Sequence, residues 1–259
     1  MSGIIYHYTS IETLKLILEN NTLRLNNLNN ADDLEDSNIN YFKNLRKCIF
    51  ISSWTKEKRE NIVLWSMYTK AMRGVRIGID YSNIKLIKTN ENNIANIENS
   101  EHILAFQNGD FFIDVKYVNN SSMIDIISEG NINRESMKEL GTLKKEEWSS
   151  QMESRFLLLA IPRDKNIFAS IFPLEISFFE SILHNDNLVD TVSKDNFLDH
   201  IDIILEDSFW NNAEILMGPG TTDKDLIEVK KLLQKYKENN NIQTKKSSLK
   251  INTDRYKRD

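Results

Sequence analysis

Three short segments carry residue types suited to chemistry. Tyr6-His7-Tyr8-Thr9-Ser10 runs out of a β-branched and aromatic stretch straight into a helical pattern. A histidine at the C-terminal end of a strand, with a hydroxyl residue two positions on, can face an opening at the strand edge; the alternative is a histidine satisfied within the core. Gln151-Met-Glu153 directly precedes the apolar run from Arg155 to Ile161, which would hold the Glu153 carboxylate rigidly. A fixed carboxylate can stabilise developing positive charge; the alternative is that Lys144 to Glu153 is a solvated polar stretch. Leu64-Trp65-Ser-Met-Tyr68 puts two aromatics about one helical turn apart, where they can stack on a cationic ring or pack into a core beside Leu64.

Other chemistries find less support. The histidines His7, His102, His184 and His200 lie far apart, and no Cys pair or His-x-x-x-His spacing exists, so no metal site is expected. Cys48 sits inside an apolar run and reads as a buried, inert thiol. There is no P-loop and no Gly-x-Gly-x-x-Gly. Gly218-Pro-Gly220 lies between a strand and a helix, where a phosphate can bind, but its proline favours a plain tight turn. Asp32-Asp33-Leu-Glu35 suits a divalent cation, a lid anchor or simple solvation, and Arg155 suits pairing with an acidic neighbour. The tail from Ile242 holds six basic and two acidic residues, which reads as a solvated end or as a contact for nucleic acid or an acidic partner.

Periodicity supplies the elements that position these groups. Ile4–Thr9 reads as a strand, and Ser10 as the N-cap of a helix whose Ile11, Leu14, Ile17 and Leu18 share a face. Thr22–Leu25, Cys48–Trp54, Val75–Asp80, Phe111–Val118, Arg155–Ile161, Ala213–Met217 and 242–251 read as strands, with one more within Phe168–Phe179. Helices are expected over Ile39–Arg46, Asn61–Met72, Phe197–Trp210 and Asp223–Lys237, from Phe179, and within Met123–Leu143. Asn26–Asp36 and Ile84–Ile103 read as irregular.

The chain has 259 residues, of which 40% are hydrophobic and 27% charged, enough to build a real core. Eight glycines, three prolines and one cysteine exclude collagen-like, linker and disulfide classes. No apolar run approaches the ~18 residues of a membrane span, and the N-terminus lacks a signal-peptide pattern, so a cytoplasmic location without membrane contact is expected. The net charge of −5 does not advertise nucleic-acid binding. Asparagine makes up roughly 12% of the chain, well above average usage; A+T-rich coding accounts for this surplus. Without repeats or linkers, residues 1–259 read as a single α+β domain that includes 213–251, with much antiparallel sheet.

The run Tyr-His-x-Thr-Ser, followed by a helix with Ile17-Leu18, resembles the opening of ADP-ribosyltransferase-like domains, whose first strand often reads Tyr-His-Gly-Thr-Ser. The chain is more closely similar to the bacterial family called domain of unknown function 2971. His7-Tyr-Thr-Ser10, Asp32-Asp33-Leu-Glu35 (with Asp32 in place of the usual Asn), Phe50-Ile-Ser-Ser53, Leu64-Trp65-Ser-x-Tyr68 and Gly74-Val-x-Ile-Gly78 carry this likeness. So do Trp148 with Glu153-Ser-Arg155, Ile215-Leu-Met-Gly218-Pro219, and Lys246-Ser247-x-Leu249.

The resemblance implies a largely antiparallel split sheet with flanking helices and NAD as substrate. It also implies transfer of ADP-ribose to a protein or nucleic-acid acceptor, in the setting of a toxin or phage-defence effector. Glu153 would be catalytic and Gln151 would orient the acceptor. His7, Thr9, Ser53, Trp65, Tyr68 and Arg155 would bind NAD, with His7 exchanging hydrogen bonds with a ribose hydroxyl. An NAD glycohydrolase and a non-catalytic nucleotide- or partner-binding domain are the competing expectations.

Overall fold

The computed structural model describes residues 3–33, 45–88, 94–107, 110–119, 141–162, 198–237 and 240–252. Strand β1 (Ile4–Thr9) leads into helix α1 (Ile11–Asn20) and strand β2 (Thr22–Asn27). The Ser10 hydroxyl caps α1 by accepting from the Thr13 N–H at 2.9 Å, and Asn21 ends it in the left-handed region (φ 52°). Then follow β3 (Ile49–Thr55), α2 (Ile62–Tyr68), β4 (Val75–Asp80), β5 (Ile103–Phe106), β6 (Phe112–Asp114), β7 (Lys116–Val118), β8 (Leu143–Lys145) and β9 (Glu153–Pro162). β10 (His200–Ile204), β11 (Glu214–Met217), α3 (Asp223–Lys237) and β12 (Gln243–Lys246) complete the described chain.

The fold is α+β, built on one large, largely antiparallel sheet in the order β10-β2-β3-β1-β4-β11-β12, with β9 paired to β3, β5 and β6. Alternation along the strands sends side chains to two faces. Ile5, Leu23, Leu25, Phe50, Ile77 and Ile215 join Leu14 and Leu18 of α1 and Val229 of α3 in the main core. On the opposite face, Tyr8 and Leu216 pack with Leu64 and Trp65 of α2. A capping box, Thr222 to Asp225, opens α3, and Arg73 holds Asp225 at 2.7 and 3.2 Å, which fastens that helix to the turn before β4.

The sheet opens in the middle. β1 and β4 pair over six positions, whereas β1 and β3 share only Tyr6↔Thr55, and β2 and β3 only Asn26↔Ile51 and Asn27↔Phe50. Beyond these points β1 and β2 part from β3, while β9 runs along the other edge of β3 from Ile49↔Leu159 to Thr55↔Glu153. The opening lies beside Ser52 and Ser53, and α1 spans its back.

Several sequence expectations need correction. The helix expected over Phe197–Trp210 is instead edge strand β10 followed by a 3₁₀ turn, Asp207–Trp210, in the part that is described. Ile201 and Ile203 are buried at a spacing of two, the strand period. The helix expected through Met72 ends at Tyr68, where Thr69 turns extended (φ −132°, ψ 129°), and Ala71 and Met72 then take positive φ. Gly218 and Gly220 donate to the Gly74 and Met72 carbonyls, and a Cβ on Gly218 would lie 2.4 Å from the Met72 oxygen. Gly218-Pro-Gly220 is therefore a packed turn whose glycine N–H groups are spent within the protein. Phe111–Val118 breaks at Val115, where pairing passes from β9 to β8. The segments expected within Met123–Leu143, Phe168–Phe179, from Phe179 and over most of Ile39–Arg46 lie outside the described residues, as do Glu35 and His184.

Candidate functional site

The opening in the sheet forms a cleft of about 330 Å³, at the small end of ligand sites. His7, Tyr8 and Thr9 of β1, Ser52 and Ser53 of β3, Tyr68 of α2, and Glu153 and Arg155 of β9 line it, with Lys144 and Asp32. A narrower recess of about 50 Å³ continues behind His7, Tyr8, Ser53, Tyr68 and Glu153, toward Tyr6, Trp54, Leu64 and Gln151.

The register explains the grouping on β3 and β9. Ser53 sits opposite Arg155, and Glu153 lies two residues before Arg155, on the same face. The Glu153 carboxylate is almost completely saturated. Its Oε1 accepts from the Ser53 hydroxyl and from Arg155 Nε, each at 2.6 Å; its Oε2 accepts from Lys144 Nζ at 3.1 Å and from Arg155 Nη2 at 3.2 Å. These four bonds match the roughly four acceptor sites of a carboxylate. Burial alone would push this carboxyl up, but the Arg155 guanidinium and Lys144 ammonium outweigh it and hold the group down at about 2.

Glu153 is thus held in its ionised form at neutral and mildly acidic pH. An unfolded chain binds its proton near 4.5, so the stability it supplies is complete above that pH and lost as the pH falls from 4.5 toward 2. Thermal melts of wild type and Glu153→Gln should therefore run parallel between pH 6 and 8, with the wild-type advantage shrinking below 4.5. A difference that does not change down to pH 3 would contradict this ion-pair assignment.

The turn carrying Gln151 and Glu153 is pinned from several sides. Met152 takes the left-handed conformation (φ 45°) and stands exposed between two buried neighbours. The Thr55 hydroxyl donates to the Met152 carbonyl, the Glu153 N–H to the Tyr117 hydroxyl oxygen, and the Asn61 amide to the Ser150 carbonyl. Lys144 also lies 4.8 Å from the Trp148 ring centroid.

A directed hydrogen-bond chain starts at Lys144. An ammonium only donates, so Gln151 presents Oε1 to it at 2.7 Å. Gln151 Nε2 then donates to the Tyr68 hydroxyl oxygen at 3.1 Å, and Tyr68 shares the cleft lining with the Asp32 carboxylate. Burial, with the Glu153 and Asp32 carboxylates nearby, pushes the phenol well above its ordinary range, so Tyr68 stays neutral.

His7 is set by one contact. Its Nδ1 lies 2.8 Å from the Ser53 carbonyl oxygen, which only accepts, so Nδ1 carries the proton and Nε2 is an acceptor. Burial pushes the imidazole below its ordinary value, against the effect of this hydrogen bond, and favours the neutral ring. The ring stands 5.0 Å from that of Trp54.

Of the residues singled out in the sequence, His7, Thr9, Ser53, Tyr68, Glu153 and Arg155 come together in the cleft. Gln151 is only 2% exposed and lines the recess, with both ends of its amide occupied. Trp65 lines neither space: fully buried, it packs edge-on to Tyr8 at 4.7 Å, and its Nε1 donates to Glu60. Arg155 has the acidic partner expected of it. The stretch from Lys144 is not simply solvated, because Lys144, Gln151 and Glu153 face inward while Glu146 and Glu147 face out. Sequence reasoning missed Lys144 as a site residue, and only Trp148 four residues later hints at it. Asp32, singled out in the sequence only as part of an acidic element, also lines the cleft. Among the described residues, no three His, Cys, Asp or Glu side chains gather as a metal-holding group, and no helix is long and apolar enough to cross a membrane.

Residues 64–156 match the family described as Protein of unknown function (DUF2971), which bears out that resemblance over this stretch. The match runs from α2 to the start of β9 and includes Tyr68, Lys144, Gln151, Glu153 and Arg155. No curated protein and no solved structure matches the chain.

Proposed function

We propose that this chain, a DUF2971 protein over residues 64–156, cleaves NAD at the nicotinamide–ribose bond and transfers ADP-ribose to a protein or nucleic acid. One observation carries the reading: His7, Ser53, Tyr68 and Glu153, from four separate elements, line one cleft where the sheet opens. Breaking that bond leaves an oxocarbenium ion on the ribose. Glu153, ionised and rigid, sets a negative field for that charge. Its oxygens are saturated by protein donors, so the field reaches a ribose hydroxyl through Ser53, whose oxygen donates to Glu153 and can still accept. His7 Nε2 accepts from a second hydroxyl. The faces of Tyr8 and Tyr68 suit the cationic nicotinamide ring. An effector role in toxicity or phage defence fits such an activity.

The test is incubation with NAD labelled in its adenylate phosphate, in the presence of a bacterial lysate. Label retained on macromolecules, with nicotinamide released, is the expected result. Free ADP-ribose with no retained label would replace transfer by hydrolysis, and absence of any turnover would overturn both.

A further inference from the structure

We propose that Asp32 is the group that orients the acceptor and takes its proton; this rests on the NAD-cleaving reading above. In the sequence this task falls to Gln151, yet the Gln151 amide is committed at one end to Lys144 and at the other to Tyr68. Glu153 is no substitute, because each of its oxygens already accepts two hydrogen bonds. The chain that begins at Lys144 runs through Gln151 to Tyr68, and Asp32 lines the cleft together with Tyr68. Asp32 is exposed, follows the 3₁₀ turn Leu28–Asn30, and lines the same cleft as His7 and Glu153.

An exposed carboxylate at the cleft keeps lone pairs for an incoming N–H or O–H. The other charged or titratable groups lining this cleft are His7, Tyr8, Arg24, Tyr68, Lys144, Glu153 and Arg155. Arg24 is held by Asp202 at 2.7 and 2.9 Å, and Lys144 and Arg155 are turned onto Glu153. Asp32 is therefore the anionic group with capacity to meet a second substrate, and its charge selects an acceptor with a positively charged N–H group over a neutral hydroxyl.

In the step, the C1′–N bond breaks to leave the oxocarbenium ion, and the acceptor nitrogen then adds to ribose C1′. The bonding pair goes to the pyridinium nitrogen, and nicotinamide leaves neutral. The acceptor proton passes to Asp32 and from there to water, and nothing is oxidised or reduced.

Agmatine, a soluble guanidinium compound, serves as probe. Labelled NAD is turned over in its presence, and three products are followed: nicotinamide, ADP-ribose and the agmatine adduct. Wild type should form the adduct. Asp32→Asn keeps the size and one acceptor oxygen but loses the charge, and should lower the ratio of adduct to ADP-ribose by roughly 10–150-fold, the value of a hydrogen bond to a charged group. Nicotinamide release is followed in parallel as the measure of NAD cleavage, so that the ratio reports how the ribosyl group divides between agmatine and water. Asp32→Glu should recover part of the ratio, which a purely structural role would not require. An unchanged ratio in Asp32→Asn, or an active wild type that forms no adduct, overturns this inference and leaves NAD cleavage standing. A wild type that releases no nicotinamide overturns the NAD reading and this inference with it.

Discussion

Glu153→Gln is expected to lower the rate of nicotinamide release by ~10²-fold or more, the size of a lost charge-stabilising group. The same change acts on the fold. It leaves Arg155 and Lys144, both buried, facing a neutral amide, and removing one partner of a buried ion pair costs about 3–5 kcal/mol. For a chain of this size that lowers Tm by roughly 6–20 °C, so rates must be compared well below the variant's own transition. A second variant separates the two effects. Glu153→Gln combined with Lys144→Met removes one orphaned cation and should regain part of the lost Tm while nicotinamide release stays low, since hydrophobic replacement of buried charge is often neutral or stabilising. Recovery of activity together with Tm would mean that Glu153 serves the fold alone.

Trp65→Ala carries the second large effect. Trp65 is fully buried in the satellite core with Tyr8, Leu64, Met72 and Leu216, and its ring lies 3.0 Å from the position a Cβ on Gly218 would take. Truncation of a large aromatic in such a place costs about 3–5 kcal/mol, from lost burial and the cavity left behind. Trp65→Phe fills most of that space but loses the hydrogen bond to Glu60, and should destabilise by only about 1–2 kcal/mol. Because Trp65 lies outside the cleft, NAD affinity of Trp65→Phe should match wild type, measured by calorimetric titration on folded protein. A drop of more than tenfold with the melt barely changed would return Trp65 to the binding surface.

The parts legible in the sequence are those set by local signals. β1 and α1 are delimited by a β-branched run, a serine cap and an asparagine stop, and α3 by an apolar stripe with a Thr222 capping box. His7 and Glu153 are legible as candidate site residues because one interrupts the β-branched and aromatic run of β1 and the other opens the strongly apolar β9. What fails depends on distant partners. β10 reads as helical until β2 pairs along it and Arg24 takes Asp202. Trp65 and Tyr68 share a helix, and only its packing on β1 decides that Trp65 faces the core and Tyr68 the cleft. Lys144 lies in a charged stretch that is indistinguishable from a solvated one until its ammonium meets Glu153. The Asn-rich segment near residue 96 shows how composition misleads in the other direction: the Asn96 side chain binds the Ile87 N–H and the Lys85 and Ile204 carbonyls, so this asparagine is structural.

The central claim is that the opening between β1 and β3 is an NAD site, and the structure of the protein soaked with NAD tests it most directly. The account predicts the nicotinamide ring against Tyr68, a ribose hydroxyl on His7 Nε2 and another on Ser53, with C1′ facing the Glu153 carboxylate. NAD bound elsewhere, or a cleft left empty at saturating NAD, would contradict it.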